Sequence, residues 1–241
     1  MKFDTFSYTN TGGCFPNEDA FCYCGDDLHN LWVICDGLGG HLDGEKASNL
    51  AVNTMLDHFT SESLKEHSDL GMVIDDTNKK ICSLGGPLTT IVAAYYKNSL
   101  FSIANVGDSR LYFFRKRQIS FITADHSVAY ADYCMKKTNY TDLRFHPERS
   151  SLMKALGVQE TSGVQCYPPF QVYPGDVFLL CSDGFWEYVF ETEMEIDLIK
   201  SKTPKQWIDY MLVRAAERIP QDNDNMTAIA VFIQNDNQEK I

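Results

Sequence analysis

No apolar run of eighteen or more residues occurs in this sequence, so no segment has the length and character of a membrane-crossing helix. The opening stretch Met1-Lys2-Phe3-Asp4-Thr5-Phe6 lacks the apolar core of a secretory signal and passes at once into alternation. A soluble, cytoplasmic protein with no membrane partner is expected. Basic residues are scarce: 21 Lys and Arg stand against 33 Asp and Glu, a formal net charge of -12. Such a balance argues against nucleic acid as a partner. None of the eight cysteines (Cys14, Cys22, Cys24, Cys35, Cys82, Cys134, Cys166 and Cys181) belongs to a Cys-x-x-Cys pair, which argues against a zinc ribbon. Cys22 and Cys24 share one strand face at a spacing poor for a disulfide. Cys35 and Cys181 end apolar runs as small core residues. The scatter fits a reducing compartment. Internal repeats, low-complexity linkers and Ser-His-Asp or Cys-His nucleophile patterns are also missing.

What is present is a set of acidic residues, each at the end of a hydrophobic run. Asp36 follows Leu31-Trp32-Val33-Ile34-Cys35 and leads into Gly37. Asp183 follows Val177-Phe178-Leu179-Leu180-Cys181-Ser182, Asp108 follows Asn105-Val106-Gly107, and Asp224-Asn225 precedes Met226-Thr227-Ala228-Ile229-Ala230-Val231. Short runs rich in Val, Ile and Phe read as buried strands. A carboxylate at a buried strand end is costly unless it is paired or binds a metal. Several of them converging would repel one another unless a cation held them. Taken singly, each Asp-Gly reads as a capped turn, and Asp108 reads equally well as a hairpin cap.

The 241 residues, 44% hydrophobic and 22% charged, can build a sizeable core. Strands are expected at 3–9, 19–24 and 30–35, followed by a helix from Asp43 to about Thr60. Ala47, Leu50, Ala51, Met55 and Phe59 form its apolar face. A second helix is expected from Asp69 to Ser83. Strands at 89–97, 100–106, 110–115 and 118–123 have short joins and imply antiparallel meanders. Residues 126–150 are polar, aromatic and charged without a clean period, and read as an insertion beside a site. Strands at 164–173 and 176–181 follow. Thr203-Pro204 opens a helix with apolar face Trp207, Ile208, Met211, Leu212 and Ala215. A final strand covers 226–233. Helices and strands cluster rather than alternate, so the fold class is α+β: a layered sandwich of two antiparallel sheets with helices on the outer faces.

The acidic motifs run in a fixed order: Asn17-Glu18-Asp19-Ala20, then Asp36-Gly37-Leu38-Gly39-Gly40-His41 with Gly44-Glu45 and Ala47-Ser48, then Thr89-Thr90. Asn105-Val106-Gly107-Asp108-Ser109-Arg110, Thr123-Ala124-Asp125-His126-Ser127, His146-Pro147-Glu148-Arg149 and Leu152-Met153-Lys154-Ala155-Leu156-Gly157 follow, and Ser182-Asp183-Gly184-Phe185-Trp186 and Asp224-Asn225-Met226-Thr227 close the series. In this order the chain resembles the bacterial-type, metal-dependent type 2C serine/threonine protein phosphatases (PPM family). The resemblance spans nearly the whole chain and implies a single domain over 1–241, an αββα sandwich, with 126–150 as the flap over the site. It implies hydrolysis of phosphoserine and phosphothreonine by water activated at a binuclear Mg²⁺ or Mn²⁺ centre, with phosphoprotein substrates and a cognate serine/threonine kinase. Asp36 would bridge the ions and the Gly37 carbonyl would ligate one. Asp183 and Asp224 would hold one ion, Glu18 and Asp19 would support the other, and Asp108 with Asp183 matches a third, weaker site.

The chain departs from the family in the phosphate grip. An arginine normally stands three positions before the Asn of Asn-Glu-Asp; here the position is Cys14, which removes a bidentate clamp. Leu38 stands where eukaryotic relatives carry a histidine, leaving His41 as a nearby loop candidate for substrate binding. The missing arginine opens a rival reading: a pseudophosphatase that keeps the fold as a binding module. The retained acids argue against it.

Overall fold

The structure, a computed structural model, describes residues 1–26, 28–39, 43–158 and 162–235. Eleven strands among them form two antiparallel sheets. The first contains β1 (Lys2–Asn10), β7 (Arg110–Arg115), β8 (Gln118–Ile122), β10 (Val177–Cys181) and β11 (Met226–Gln234), in the order β1-β11-β10-β7-β8. The second contains β2 (Asp19–Gly25), β3 (His29–Leu38), β5 (Ile91–Lys97), β6 (Leu100–Val106) and β9 (Gln165–Gln171) in chain order, with the short β4 (Leu88–Thr89) paired to the end of β3.

Alternation along the strands builds the layers. In β5, Ile91, Ala93 and Tyr95 face α1 (Asp43–Thr60) and α2 (Asp69–Cys82), while Val92, Ala94 and Tyr96 face the opposite sheet. In β11, Met226, Ala228, Ala230 and Phe232 face α4 (Asp183–Trp186), α5 (Glu191–Lys200) and α6 (Pro204–Ala215), while Ile229, Val231 and Ile233 face inward. Both faces of the central strands are therefore dry, and their sequences are continuously apolar rather than alternating. Between the sheets, Trp32 packs edge-on against Phe178 at 5.0 Å, and Phe101 lies 4.7 Å from Phe178. The fold is the expected four-layer αββα sandwich.

The helices follow from local signals. α1 buries Ala47, Ala51, Met55 and Phe59, with Asp43 and Glu45 in its first turn, where the helix dipole favours negative charge. α6 starts at Pro204, and the Thr203 hydroxyl accepts from the Gln206 N–H at 3.2 Å. The second sheet adds a detail to the expected 89–97 strand, which breaks at Thr90. Two elements were not anticipated, α4 and α5. The insertion holds α3 (Val128–Cys134) and a 3₁₀ helix over Tyr140–Phe145. Arg144 anchors it, donating to the Trp186 carbonyl at 2.7 Å and to Glu191 at 2.5 Å.

Candidate metal centre

The two sheets bring five chain segments to one end of the sandwich. Asp36 lies near the end of β3, directly opposite Asp19 at the start of β2. Asp183 opens α4 immediately after β10, Asp224 stands two residues before β11, and Asp108 sits in the β6–β7 turn. Carboxylate oxygens of Asp36, Asp108 and Asp183 lie within 4.8 Å of one another. They form the floor of a cavity of about 530 Å³ whose lining also includes Glu18, Gly37 and Asp224. Asp19 stands behind that lining, where its Oδ2 accepts the Ser182 hydroxyl at 2.8 Å.

Backbone and small side chains fix the acids. The Asp36 N–H donates to Thr90 Oγ1 at 3.0 Å, and its carbonyl accepts from Thr89 Oγ1 and from the Thr90 N–H, both at 2.8 Å. The Thr90 hydroxyl in turn lies 2.7 Å from that of Ser109, beside Asp108. The Glu18 carbonyl accepts the Gly37 N–H at 3.1 Å and the Ser48 hydroxyl at 2.5 Å. Here β3, α1 and the Glu18 loop approach so closely that a Cβ on Gly37 would overlap the Gly44 carbonyl. Asn225 joins the two termini of the site. Its Oδ1 accepts the Glu18 N–H at 2.8 Å, and its Nδ2 donates to the carbonyls of Thr11 at 2.8 Å and Cys14 at 2.9 Å.

The electrostatics are those of acids lacking a counter-charge. Burial raises Asp36 well above the usual carboxylate range, and Asp183, Asp19, Asp108 and Asp224 raise it further. Asp183 is pushed well up by burial, then by Asp108 and Asp224. Burial lifts Asp108 to about 7 and Asp19 to about 6. Asp19 Oδ1 and Asp183 Oδ1 are buried with no hydrogen-bond partner among the described residues, an arrangement that costs stability unless something else binds there. Arg110, a buried cation whose charge reaches Asp108, is committed elsewhere. Arg110 makes a bidentate pair with Asp125, at 2.9 and 2.6 Å, and its guanidinium stacks 3.5 Å above the Trp186 ring. An all-oxygen donor set with unsatisfied carboxylates fits a hard divalent cation such as Mg²⁺ or Mn²⁺.

The other candidates fall into place around this centre. His126 is buried; its Nδ1 accepts the Gly107 N–H at 3.1 Å and its Nε2 lies 3.1 Å from Gln165 Oε1. It thus braces the turn that carries Asp108. Cys14 is exposed at the cavity rim. Burial and the carboxylates of Asp224, Asp222 and Glu18 push its thiol upward. His41 lies outside the described residues. Ser182, Asn225 and Ser48 escaped the sequence reading as site residues. The first two had a signal, since they directly adjoin Asp183 and Asp224.

The family model for "Protein phosphatase 2C" matches residues 13–226. Among characterised relatives, a serine/threonine phosphatase stp of Listeria monocytogenes serotype 4b is 33% identical over 229 residues, covering 89% of this chain and 86% of its own. Among solved structures, the serine/threonine phosphatase Stp1 of Staphylococcus aureus superposes with a TM-score of 0.87 at 29% identity, covering 98% of this chain and 96% of its own. A second, described as a bacterial serine phosphatase, has a TM-score of 0.86 at 29% identity and full coverage of both chains. With the family match spanning every acidic motif from Glu18 to Asp224, the chain belongs to the protein phosphatase 2C family.

Proposed function

We propose that the chain is a metal-dependent protein phosphatase that hydrolyses phosphoserine and phosphothreonine esters, acting on phosphoproteins and opposing a serine/threonine kinase. The observation that carries this reading is the convergence of Asp36, Asp108 and Asp183 within 4.8 Å on the floor of an open cavity. The relative from Listeria monocytogenes, a serine/threonine phosphatase, supports the substrate class. Two Mg²⁺ or Mn²⁺ ions, when bound, supply an acidified water and neutralise phosphoryl oxygens.

The residues of the chain divide the remaining work. Asp36, centred among the other acids, and the adjacent Gly37 carbonyl would hold the ions. Asp183 and Asp224 would hold one ion, Glu18 and Asp19 would support the other, and Asp108 with Asp183 would hold a third, weaker one. Ser182 orients Asp19, and Thr89 and Thr90 hold the Asp36 backbone. A cysteine-based mechanism requires a stabilised thiolate. The Cys14 thiol is instead pushed up by burial and by Asp224, Asp222 and Glu18, which works against a thiolate nucleophile. Ser150 of the insertion and Leu152 just beyond it line the cavity and shape access to it.

The purified protein is expected to release phosphate from a phosphothreonine peptide in Mn²⁺, to stop in chelator and to recover when Mn²⁺ is restored. Turnover that ignores chelator would overturn the reading. A panel including small phosphoesters separates protein substrates from metabolites. Cys14, with no cation among the described residues lining the larger cavity, favours the binding-module alternative. Calorimetry decides it: absence of Mn²⁺ binding at millimolar concentration would point to a pseudophosphatase.

A further inference from the structure

Six carboxylates at this site, those of Glu18, Asp19, Asp36, Asp108, Asp183 and Asp224, outnumber the charge of two divalent ions. A phosphoester dianion entering such a cleft needs a further positive group near its non-reacting oxygens. Cys14 supplies none. A second cavity of about 240 Å³ adjoins the first and shares Cys14, Ser150, Asp183 and Asp224 with it. Its lining adds Arg149, Glu187 and Asp222, and Arg149 is the one cation among the described residues lining either cavity.

Arg149 is held for such a role. Its backbone N–H closes the His146–Arg149 turn on the His146 carbonyl at 3.1 Å. Its Nε lies 2.9 Å from Glu187 Oε1, one turn of chain beyond Asp183. This ion pair holds the side chain beside the cleft. The structure gives no hydrogen bond from Nη1 or Nη2 to a described residue. That edge of the fork is the one suited to two phosphate oxygens. The side chain remains 39% exposed, so a ligand can reach it.

We infer that Arg149 grips the substrate phosphate, taking over from the opposite wall of the cleft the task that an arginine at position 14 performs elsewhere in the family. The inference rests on the phosphatase reading and names the residue that positions its substrate. The clamp therefore sits on the insertion rather than on the N-terminal loop. Substrate binding and the placement of the insertion are coupled through one side chain.

The test uses the full Mn²⁺-loaded chain and two readouts: binding of inorganic phosphate by calorimetry, and KM and kcat on a phosphothreonine peptide. Arg149→Ala is expected to weaken phosphate binding and raise KM by about tenfold or more, with kcat changed far less, because a charge-assisted bidentate contact to the ground-state phosphate is lost. Arg149→Lys, which keeps the charge but not the fork, should fall between. Glu187→Gln removes the charge of the pair while keeping an oxygen that can accept from Nε, so it should bind phosphate within about threefold of the parent. Introducing Cys14→Arg into Arg149→Ala should restore phosphate affinity. Phosphate binding by Arg149→Ala equal to the parent's would overturn the proposal. So would an equal loss in Glu187→Gln, which would mean that the pair merely braces the insertion. The calorimetric arm needs no turnover. A parent that binds phosphate through Arg149 yet hydrolyses no phosphopeptide would sink the phosphatase reading and leave the clamp standing.

Discussion

At the scale of single residues, the site stores unfavourable charge. Asp36 is buried among four other acids that raise it, so its carboxylate is an asset only when a cation is bound. Asp36→Asn is expected to cut turnover by about 10²–10³-fold or more, the range for losing one well-placed electrostatic contact. The same change should raise the melting temperature of the metal-free protein at pH 8, by about 2–4 °C for each kcal/mol of relieved repulsion in a chain of this size. A metal-free variant that melts below the parent would contradict the repulsion argument. The pH dependence has a definite sign. Asp19 and Asp108 titrate at about 6 and about 7 in the folded chain, against an ordinary value of 3.8. The folded state therefore keeps protons that the unfolded chain releases. That stabilisation is complete below about pH 4 and is lost as pH rises through 6 to 7. Melting in chelator should fall over this window, and the gain on adding Mn²⁺ should grow with pH as protons stop competing for the carboxylates. Differential scanning across pH 5 to 8, with and without Mn²⁺, checks both.

At the scale of elements, the limits of α1 were readable because Asp43 starts the helix and its apolar stripe is unbroken to Phe59. The segment Glu191-Thr192-Glu193-Met194-Glu195-Ile196-Asp197-Leu198-Ile199-Lys200 was not readable as α5. It buries only Met194, Leu198 and an aspartate, Asp197, whose charge is met by Arg214 of α6 at 2.6 and 2.9 Å. That pairing depends on a residue of a different helix. The site divides in the same way. Its acids could be named in order, because each closes an apolar run. The groups that aim them, Thr90, Ser182 and Asn225, act across 54, 163 and 207 positions of chain, and no local pattern records such partners. The junction of α4 with the Asp224 loop is the tightest of these. A Cβ on Gly184 would overlap the Asn225 carbonyl. Gly184→Ala is thus expected to cost about 1–3 kcal/mol and to weaken Mn²⁺ binding, both visible by calorimetry. Thr203→Ala, which removes the cap of α6 on the outer layer, should cost about 1 kcal/mol and leave Mn²⁺ affinity as it was. Equal metal affinity in the two variants would show that the Gly184 junction does not position the acids.

At the scale of the whole molecule, the formal net charge of -12 governs how substrates approach. Phosphopeptides flanked by Lys and Arg should show higher kcat/KM than those flanked by Asp and Glu, and the gap should shrink as salt screens the field. Equal rates at low salt would remove long-range steering from the account. The topology carries a further consequence, for synthesis. β11 lies between β1 and β10, so β1 has no neighbour in this sheet until β11, far along the chain, arrives. Asn225, at the head of β11, is also the side chain that ties down Thr11, Cys14 and Glu18. A nascent chain on the ribosome therefore lacks both an edge for β1 and a fixed loop for Glu18 until residues beyond 225 have emerged. Hydrolysis is expected to wait for that strand, and a chain released before it should lack activity. Activity should therefore appear only once β11 has taken its place between β1 and β10.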